Sequence, residues 1–171
     1  MTKRVVDTFG AFCGLVVCAP LFIVIALLIK MDSPGPVLFR QVRVGHSFRH
    51  FCLYKFRTMV HDASRKEETL TIVEDPRITR IGRFLRQFKL DELPQLFNVL
   101  KGDMSLVGPH PEIPYYVEKF RDDYQGVLRV RPGLTDLASL KYIDEQGILG
   151  KAAKPEEEYT NKILPEKIRL A

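Results

Sequence analysis

The N-terminal part of the chain holds its longest apolar run. Residues 8–29 are almost wholly apolar, and as a straight helix they are long enough to cross a bilayer core of about 30 Å. Pro20 divides the run. Because proline lacks an amide hydrogen and clashes with the carbonyl group one turn before it, we predict a kink or break there. Each arm is then about half of the ~20 residues that a span needs.

The charges at the two ends favour a helix that enters the membrane and returns to the same side. Lys3 and Arg4 precede the run and Lys30 follows it, and basic flanks stay on the cytoplasmic side. Asp7 lies one helical turn after Lys3 and Arg4, so it can pair with either of them at the membrane boundary. We therefore predict a re-entrant membrane helix over residues 1–31, with Lys3, Arg4, Asp7 and Pro20 as its anchor residues.

The same apolar run is compatible, to different degrees, with three further structures. A kinked helix that crosses the membrane once stays open, because kinked spans are common. A cleaved signal peptide is disfavoured, since the small residues Cys18 and Ala19 are followed by Pro20 and no A-x-A cleavage site is present. A buried helix of a soluble core is disfavoured because the run has no polar face.

After this helix the apolar pattern becomes that of a small mixed domain. Residues 37–39 and 51–56 are typical of strands, and a turn near residues 45–47 joins them into a predicted β-hairpin. Apolar residues at positions 81, 84, 85 and 88, and again at 93, 96, 97 and 100, predict two amphipathic helices. We further predict a loop over 61–75, a strand over 104–107, a helix over 114–124, a turn over 131–133 and a short helix ending near 164. The fold class is thus α+β, with one cytoplasmic domain over residues 32–171 packed at the membrane interface.

Composition limits the partners of this domain. The net charge is +5 and the isoelectric point is about 9.2, which suits anionic lipid surfaces or phosphate substrates. No helix-turn-helix, zinc-finger or RNA-binding signature is present, so we do not expect a nucleic-acid partner. The three cysteines have no metal-ligand spacing, and an odd number fits a reducing compartment.

Asp91 and Glu92 are adjacent acids at the predicted start of the second amphipathic helix. They can be read as capping residues, because Asp is a favoured N-cap, Glu suits the first turn and Pro94 is tolerated there. They can also be read as a site for a divalent metal that bridges carboxylate and pyrophosphate oxygens. The second interpretation is favoured by nearby cations that exceed the two carboxylates: Lys55, Arg57, Arg77, Arg80, Arg83, Arg86 and Lys89.

The arginine run and His110 each have a plainer interpretation as well. Part of the arginine run can face solvent or lipid headgroups, where Phe84 and Phe88 would join it. His110 lies between two prolines in a stiff loop, and a single histidine is more often structural than catalytic. No second histidine or cysteine near it suggests zinc.

Several motifs together resemble those of the monotopic phosphoglycosyl transferases, also called bacterial sugar transferases. The resemblance runs from Lys3 to about residue 140. Its motifs are Lys3-Arg4-x-x-Asp7, Ala19-Pro20, Ser33-Pro-Gly-Pro-Val-Leu-Phe-Arg-Gln41, Lys55-Phe-Arg-Thr-Met59, residues 75–86, residues 90–109 and Arg131-Pro-Gly-Leu-Thr135.

The resemblance implies a Mg²⁺-dependent enzyme that moves a phosphosugar from a UDP-sugar to undecaprenyl phosphate and releases UMP. It implies a monotopic protein on the cytoplasmic face of the bacterial inner membrane, at the first membrane step of a surface-glycan pathway. Membrane lipid is then a further partner. The identity of the sugar, the downstream glycan and the formation of a homodimer are left open.

The resemblance also implies roles for individual residues. Asp91 would attack the sugar-bearing phosphorus and carry a covalent phosphosugar, and Glu92 would bind Mg²⁺ together with Asp91. The residues expected to bind substrate are Lys55, Arg57, Arg86, His110 and Arg131.

One position departs from the family pattern in a way that bears on binding. The family commonly has Pro-Arg-Pro where this chain has Pro109-His110-Pro111. Imidazole has a reference pKa of about 6.5 and is not a fixed cation, so phosphate or nucleotide contact is expected to be weaker or pH-dependent. Asp136, Ala138 and Ser139 also differ from the Gly-Leu-Ala-Gln sequence common after the Arg131 turn.

Two other classes of function are kept as alternatives. A different Mg²⁺-dependent phosphoryl enzyme, such as a lipid pyrophosphatase, would give free phosphate products. A non-catalytic membrane anchor or assembly partner would keep its function after Asp91→Asn.

Overall fold

The computed structural model describes residues 2–60 and 75–171, so the predicted loop over 61–75 lies almost wholly outside the described residues. Within them the chain is a mixture of helix and sheet, which confirms the α+β class. The elements are α1 (Thr2–Asp32), β1 (Leu38–Val44), β2 (His50–Phe56), α2 (Arg80–Gln87), α3 (Gln95–Lys101), β3 (Ser105–Val107), α4 (Pro114–Lys119), α5 (Arg121–Val127), β4 (Gly133–Thr135), α6 (Leu137–Lys141), α7 (Glu145–Lys151), α8 (Pro155–Glu158) and α9 (Leu164–Leu170).

The apolar run forms the single long helix α1. Pro20 lies inside it and does not end it, so a break at Pro20 is wrong. A bend there and a re-entrant path stay predictions. α1 is long and apolar enough to cross a membrane, and it is the one helix among the described residues that meets both conditions.

One face of α1 packs against the rest of the chain along most of its length. Asp7, Ala11, Ile25 and Ile29 recur at helical spacing and are all buried. Ala11 packs among residues of β2 and α3, while Ile25 and Ile29 pack near α2. The opposite face exposes large apolar side chains: Val5, Phe9, Phe12, Val16, Val17, Ile23, Val24 and Leu27. An apolar surface of this extent requires an apolar environment.

The start of α1 is fastened to the domain by its charged residues. Asp7 accepts hydrogen bonds from Ser105 Oγ at 2.8 Å and from the amide of Leu106 at 3.1 Å. Lys3 forms the ion pair with Asp7, at 3.6 Å. Arg4 instead donates to the carbonyls of Val99 and Leu100 at 2.6 and 2.9 Å, in the last turn of α3. A cation there satisfies carbonyl groups that lack helical partners.

The predicted hairpin is confirmed, with a longer first strand than expected. β1 and β2 pair antiparallel from Leu38–Phe56 to Val44–His50. Ser47 and Phe48 form the turn with positive φ angles of 54° and 60°. Side chains alternate between the two faces of a strand, so Lys55, Leu53 and Arg43 share one face.

The second half of the chain differs from prediction in three places. The strand predicted at 104–107 is confirmed as β3, but its parallel partner β4 was predicted only as a turn. The helix predicted over 114–124 is two helices that meet at Phe120, where φ is −118° and ψ is 37°. The helix predicted to end near 164 is wrong: Leu164 begins α9, and a π-helical turn, Tyr159–Ile163, leads into it.

Candidate active site

The acid pair lies in a tight turn between α2 and α3. Lys89 has a left-handed backbone with φ of 55°, which redirects the chain after α2. A 3₁₀ turn, Leu90–Glu92, follows, and Pro94 leads into α3. Asp91 points inward and is only 7% exposed. The N-cap positions of the 3₁₀ turn and of α3 are Lys89 and Pro94, without side-chain capping hydrogen bonds, so Asp91 as an N-cap is wrong. Both acids do lie in the first turn of the 3₁₀ helix, as the capping interpretation expected for Glu92.

Lys55 binds one acid of the pair directly. It stands near the end of β2, and its Nζ lies 2.9 Å from Glu92 Oε1. Each side chain of this ion pair is 20% exposed. One oxygen of Asp91, Oδ1, is buried and has no hydrogen-bond partner among the described residues. The two neighbouring carboxylates are therefore in different states: Glu92 is paired, and Asp91 keeps an unpaired oxygen.

The surroundings move the pKa values of the two acids in opposite directions. Burial raises the pKa of Asp91, as does the charge of Glu92, while the positive charges of Lys55, Arg86 and Lys89 oppose the rise. Burial also acts to raise the pKa of Glu92, but the charge and hydrogen bond of Lys55 outweigh it and lower that pKa to about 2. Glu92 is thus a fixed anion at every physiological pH, whereas Asp91 holds its proton more tightly than an ordinary aspartate.

Arg86 approaches the acid pair from α2. Its Nε donates to Thr58 Oγ1 at 2.8 Å, and its Nη1 is buried without a partner in the described part of the chain. Burial lowers the pKa of Arg86, opposed by the charges of Asp91 and Asp75. Gly82 allows this arrangement, because a Cβ atom there would lie 2.0 Å from the carbonyl oxygen of Thr58. Only glycine lets α2 come so close to the segment after β2.

His110 lies in the loop after β3, near Glu92. Its amide donates to Asp136 Oδ2 at 2.9 Å, and its Nδ1 is buried without a partner among the described residues. Burial lowers the pKa of His110 to about 4, against the opposing charge of Glu92. The imidazole is therefore neutral at pH 7, and it gives no fixed positive charge at the position where the family commonly has arginine.

A buried ion pair holds the His110 loop against the hairpin. Arg43 on β1 donates to Glu112 Oε1 at 2.9 Å and to the carbonyl of Pro111 at 3.1 Å. Tyr159 donates to the other oxygen of Glu112. The pKa of Glu112 is lowered: burial acts to raise it, but Arg43, Lys167 and hydrogen bonds overcome that effect.

Two of the predicted substrate-binding residues have partners elsewhere. Arg57 is 5% exposed and donates to the carbonyls of Ser33 and Pro34, each at 2.6 Å, at the end of α1. Arg131 donates to the carbonyl of Gly102 at 2.9 Å. The structure brings Lys55, Arg86 and His110 to the acid pair. Contact of Arg57 or Arg131 with substrate stays a prediction.

The two acids can bind a magnesium ion only if substrate phosphates and water supply its other ligands. The described residues contain no group of three or more His, Cys, Asp or Glu side chains that could hold a metal. Mg²⁺ is, however, commonly bound by one or two carboxylates together with substrate phosphates and water. The unpaired Oδ1 of Asp91 and the adjacent carboxylate of Glu92 suit that mode, although Lys55 competes for Glu92.

Sequence reasoning missed several residues that shape the site. Asn98 on α3 accepts from the amide of Tyr54 at 3.1 Å and donates to the carbonyl of Cys52 at 2.7 Å, which fastens α3 to β2. Asn98 and Gln95 are both 0% exposed. A signal was available for these two: Gln95 and Asn98 are polar, three positions apart and therefore on one face of α3. Arg43 and Glu112 gave no such local signal.

Comparison with known families agrees with the motifs. The family described as bacterial sugar transferase matches residues 1–164. A provisionally named undecaprenyl-phosphate N-acetylgalactosaminyl 1-phosphate transferase of Bacillus subtilis (strain 168) is 48% identical over 124 residues, which cover 72% of this chain and 69% of that protein.

Two further relatives carry names that include the sugar donor. The UDP-N-acetylgalactosamine-undecaprenyl-phosphate N-acetylgalactosaminephosphotransferase of Aeromonas hydrophila is 43% identical over 81% of this chain. The UDP-glucose:undecaprenyl-phosphate glucose-1-phosphate transferase of Escherichia coli (strain K12) is 41% identical over 82% of this chain. The matched region spans only 33% and 31% of those two proteins.

Proposed function

Since this chain belongs to the bacterial sugar transferase family, we propose that it transfers a phosphosugar from a UDP-sugar to undecaprenyl phosphate and releases UMP. The names of the relatives supply the donor and acceptor classes. The observation that carries the proposal is the division within the acid pair: Glu92 is bound to Lys55, while the buried Asp91 has an unpaired carboxylate oxygen.

The reaction proceeds through two displacements at one phosphorus atom. In the first, a carboxylate oxygen of Asp91 forms a bond to the sugar-bearing phosphorus, the bond from that phosphorus to the bridging oxygen breaks, and UMP leaves with the electron pair. In the second, a phosphate oxygen of undecaprenyl phosphate attacks the same phosphorus. The bond to Asp91 breaks, and the product is a lipid-linked diphosphosugar with the carboxylate restored.

Positive side chains make the first displacement feasible. A carboxylate that approaches a diphosphate is repelled by its negative charge, and the transition state spreads that charge over the phosphoryl oxygens. Lys55 and Arg86 both act electrostatically on Asp91, and Arg86 has an unpaired Nη1 in the described part of the chain. These cations offset the repulsion in a buried site, where charge interactions are stronger than in water. The neutral His110 offers a ring nitrogen for hydrogen bonding in place of a charge.

Asp91 and Glu92 would hold the Mg²⁺ ion together with phosphate oxygens of the donor and water. The bound ion supplies charge neutralisation at the phosphoryl oxygens. The close contact of Lys55 with Glu92 keeps the second carboxylate deprotonated and oriented before the donor arrives.

The membrane anchor places this chemistry beside the lipid acceptor. We propose that α1 enters one leaflet and returns, with its charged start and the basic residues after it on the cytoplasmic face of the inner membrane. The inner face of α1 is buried against the domain, which supports a site held close to the membrane surface. The acceptor cannot leave the bilayer, so a fixed height of the site contributes orientation.

The test is UMP release by the purified full chain. We expect release from at least one UDP-sugar in the presence of undecaprenyl phosphate and Mg²⁺, formation of a lipid-linked diphosphosugar, and loss of both products with a chelator. With donor radiolabelled in the sugar and no acceptor, the protein itself becomes labelled. Asp91→Asn abolishes the label and the turnover.

Two outcomes would overturn the proposal. Normal turnover by Asp91→Asn would show that Asp91 is not the nucleophile. Free sugar phosphate or inorganic phosphate, without lipid-linked product, would identify a hydrolase instead. The conservative change at Asp91 keeps the size of the side chain, so a matched melting temperature serves as the control for folding.

A further inference from the structure

Gln95 lies close to the proposed nucleophile along the chain. It is the first residue of α3 and follows Asp91 by four positions, across the end of the 3₁₀ turn and Pro94. Asn98, one turn further on, bonds to the backbone of Tyr54 and Cys52. These bonds hold α3 against β2, the strand that carries Lys55.

The amide group of Gln95 is buried without any partner in the described part of the chain. The residue is 0% exposed, and neither Nε2 nor Oε1 has a hydrogen bond to a described residue. A buried polar group in this state costs roughly 1–3 kcal/mol relative to one that is paired. A side chain with this cost needs an explanation, because most buried amide groups in proteins are satisfied.

Two residues of the candidate site share this property. Asp91 Oδ1 and Arg86 Nη1 are also buried without partners among the described residues, and Arg86 and Asp91 act on each other electrostatically. The four unpaired atoms thus include a carboxylate oxygen, a guanidinium nitrogen, and both a donor and an acceptor from one amide. This set complements a phosphate group joined to a hydroxyl-bearing ring.

We propose that Gln95 is a further substrate-contacting residue, which binds the phosphosugar while it is held at Asp91; this inference rests on the proposed function. Gln95 Nε2 donates a hydrogen bond to an oxygen of the sugar-bearing phosphate, and Gln95 Oε1 accepts one from a sugar hydroxyl. We assign no contact with the uridine portion to Gln95, so the affinity for UMP should not depend on this amide.

A purely structural amide and a substrate-binding amide predict opposite results for Gln95→Met. Methionine has nearly the same volume and no hydrogen-bonding requirement. Replacing unpaired polar atoms by apolar ones of similar shape is neutral or stabilising. If the substrate is the missing partner, the variant keeps or gains thermal stability and loses turnover.

The experiment compares wild type, Gln95→Met and Gln125→Met in the full chain. Gln125 lies on the exposed surface of α5 and is the matched control. We expect Gln95→Met to lower kcat for UMP release by about 10- to 100-fold, the loss of one hydrogen bond to a charged group. The inhibition constant of UMP, which lacks the phosphosugar, should stay unchanged, and the melting temperature should stay the same or rise.

The outcomes separate this inference from the proposed function. Absence of UMP release by the wild type would remove the proposed function itself. With an active wild type, an unchanged kcat for Gln95→Met would show that the amide does not bind substrate. Its partner would then be a buried water, or it would have none, and the inference would be wrong. A drop in melting temperature of more than about 5 °C, or weaker UMP inhibition, would also overturn it, because the amide would then be structural.

Discussion

Lys55 Nζ lies 2.9 Å from Glu92 Oε1, while the next residue back along the chain, Asp91, has no hydrogen bond through its Oδ1 to any described residue. Two adjacent acids of similar intrinsic pKa thereby become unequal: burial prevails at Asp91 and raises its pKa, whereas at Glu92 the charge and hydrogen bond of Lys55 help to overcome burial. Glu92 becomes a permanent anion with a pKa of about 2. Asp91, more deeply buried and with a raised pKa, is left as the acid that can form a new bond.

The raised pKa of Asp91 predicts that turnover falls at low pH. We call this falling part of the pH profile the acid limb. Below its pKa, Asp91 is protonated and cannot attack, so kcat should rise with pH and level off above that pKa. The limb should lie above about 3.9, the ordinary value for aspartate, since burial is the main cause of the shift. Glu92 stays ionised throughout this range. The measurement is UMP release at saturating donor, and a limb at or below the ordinary value contradicts the prediction.

Replacing a surrounding cation by a neutral residue should move the acid limb to higher pH, and the size of the shift should depend on how strongly that cation acts on Asp91. Lys55 is the strongest of the positive charges that lower the pKa of Asp91, and Lys89 is the weakest of the three. Lys55→Met should therefore shift the limb to higher pH by more than Lys89→Met does. Equal shifts for the two variants would mean that Lys55 does not control the proton affinity of Asp91.

The close approach of α2 to the segment after β2 predicts that Gly82→Ala is damaging. An added Cβ would lie 2.0 Å from the carbonyl oxygen of Thr58 and 2.7 Å from its carbonyl carbon, so backbone must move and the bond from Arg86 to Thr58 is lost. We expect a loss of about 1–3 kcal/mol of stability, typical of an overpacked site, together with lower kcat. Denaturant unfolding and UMP release measure the two effects.

Gly126 provides the matched control for this substitution. It lies within α5, and a Cβ there meets nothing within 4 Å. Gly126→Ala should stabilise the protein by about 0.5–1 kcal/mol, because alanine restricts the unfolded chain and favours helix. If both variants had the same effect, the contact at Thr58 would not be the cause.

The buried pair of Arg43 and Glu112 predicts a stability that falls in acid. The folded pKa of Glu112 is depressed, so its contribution is fully present above the unfolded value of about 4.3 and is lost as pH falls through the folded pKa. Glu112→Gln should cost about 1–3 kcal/mol at neutral pH, because it removes the charged partner of Arg43, which keeps only its bonds to Gln41 and to the carbonyl of Pro111. It should also flatten the decline of stability below about pH 4.3.

A second variant separates the pair from the packing around it. Arg43→Met combined with Glu112→Gln should be less destabilising than the sum of the two single changes, since no unpaired charge remains. Guanidinium unfolding at several pH values measures both effects. An additive double variant would show that the two side chains do not act as a pair.

The sequence predicted those parts of the fold that depend on local pattern. The hairpin, the two amphipathic helices and the adjacency of Asp91 and Glu92 follow from spacing within about ten residues. The pairing of β3 with β4 joins residues from Ser105 to Thr135, and a strand of three residues has too little periodicity to be distinguished from a turn. The π-helical turn before α9 likewise has no pattern of its own.

The contacts within the candidate site could not be predicted from local sequence pattern either. Lys55 was predicted beside the acids from its charge and its place in a motif, but its partner Glu92 is 37 positions away, and only the fold selects Glu92 over Asp91. Arg57 has the same charge and lies two residues later, yet it binds carbonyl groups at the end of α1. The charge and sequence position of Lys55 and Arg57 do not show that their side chains bind different parts of the chain.

α2 carries a pair of aromatic side chains that should meet the lipid surface. The rings of Phe84 and Phe88 lie 4.9 Å apart and are 51% and 57% exposed. The start of α2 is tied to the end of α1, because the amide of Ile81 donates to Asp32 Oδ2 at 3.0 Å. α2 contains no acid and carries Arg80 and Arg83 on its outer side, which suits anionic headgroups.

The double change Phe84→Ser with Phe88→Ser should therefore weaken use of the membrane-bound acceptor without harming the chemistry. Loss of about 1 kcal/mol per half-buried ring should raise the apparent KM for undecaprenyl phosphate in anionic vesicles. The rate with a short-chain prenyl phosphate in solution should stay the same, because Arg86 and Asp91 lie on the inner side. Val130→Ser, at another exposed apolar position, is the control. An equal rise of KM with both acceptors would mean that the rings support the folded site, and an unchanged KM with both would mean that this face of α2 does not touch the membrane.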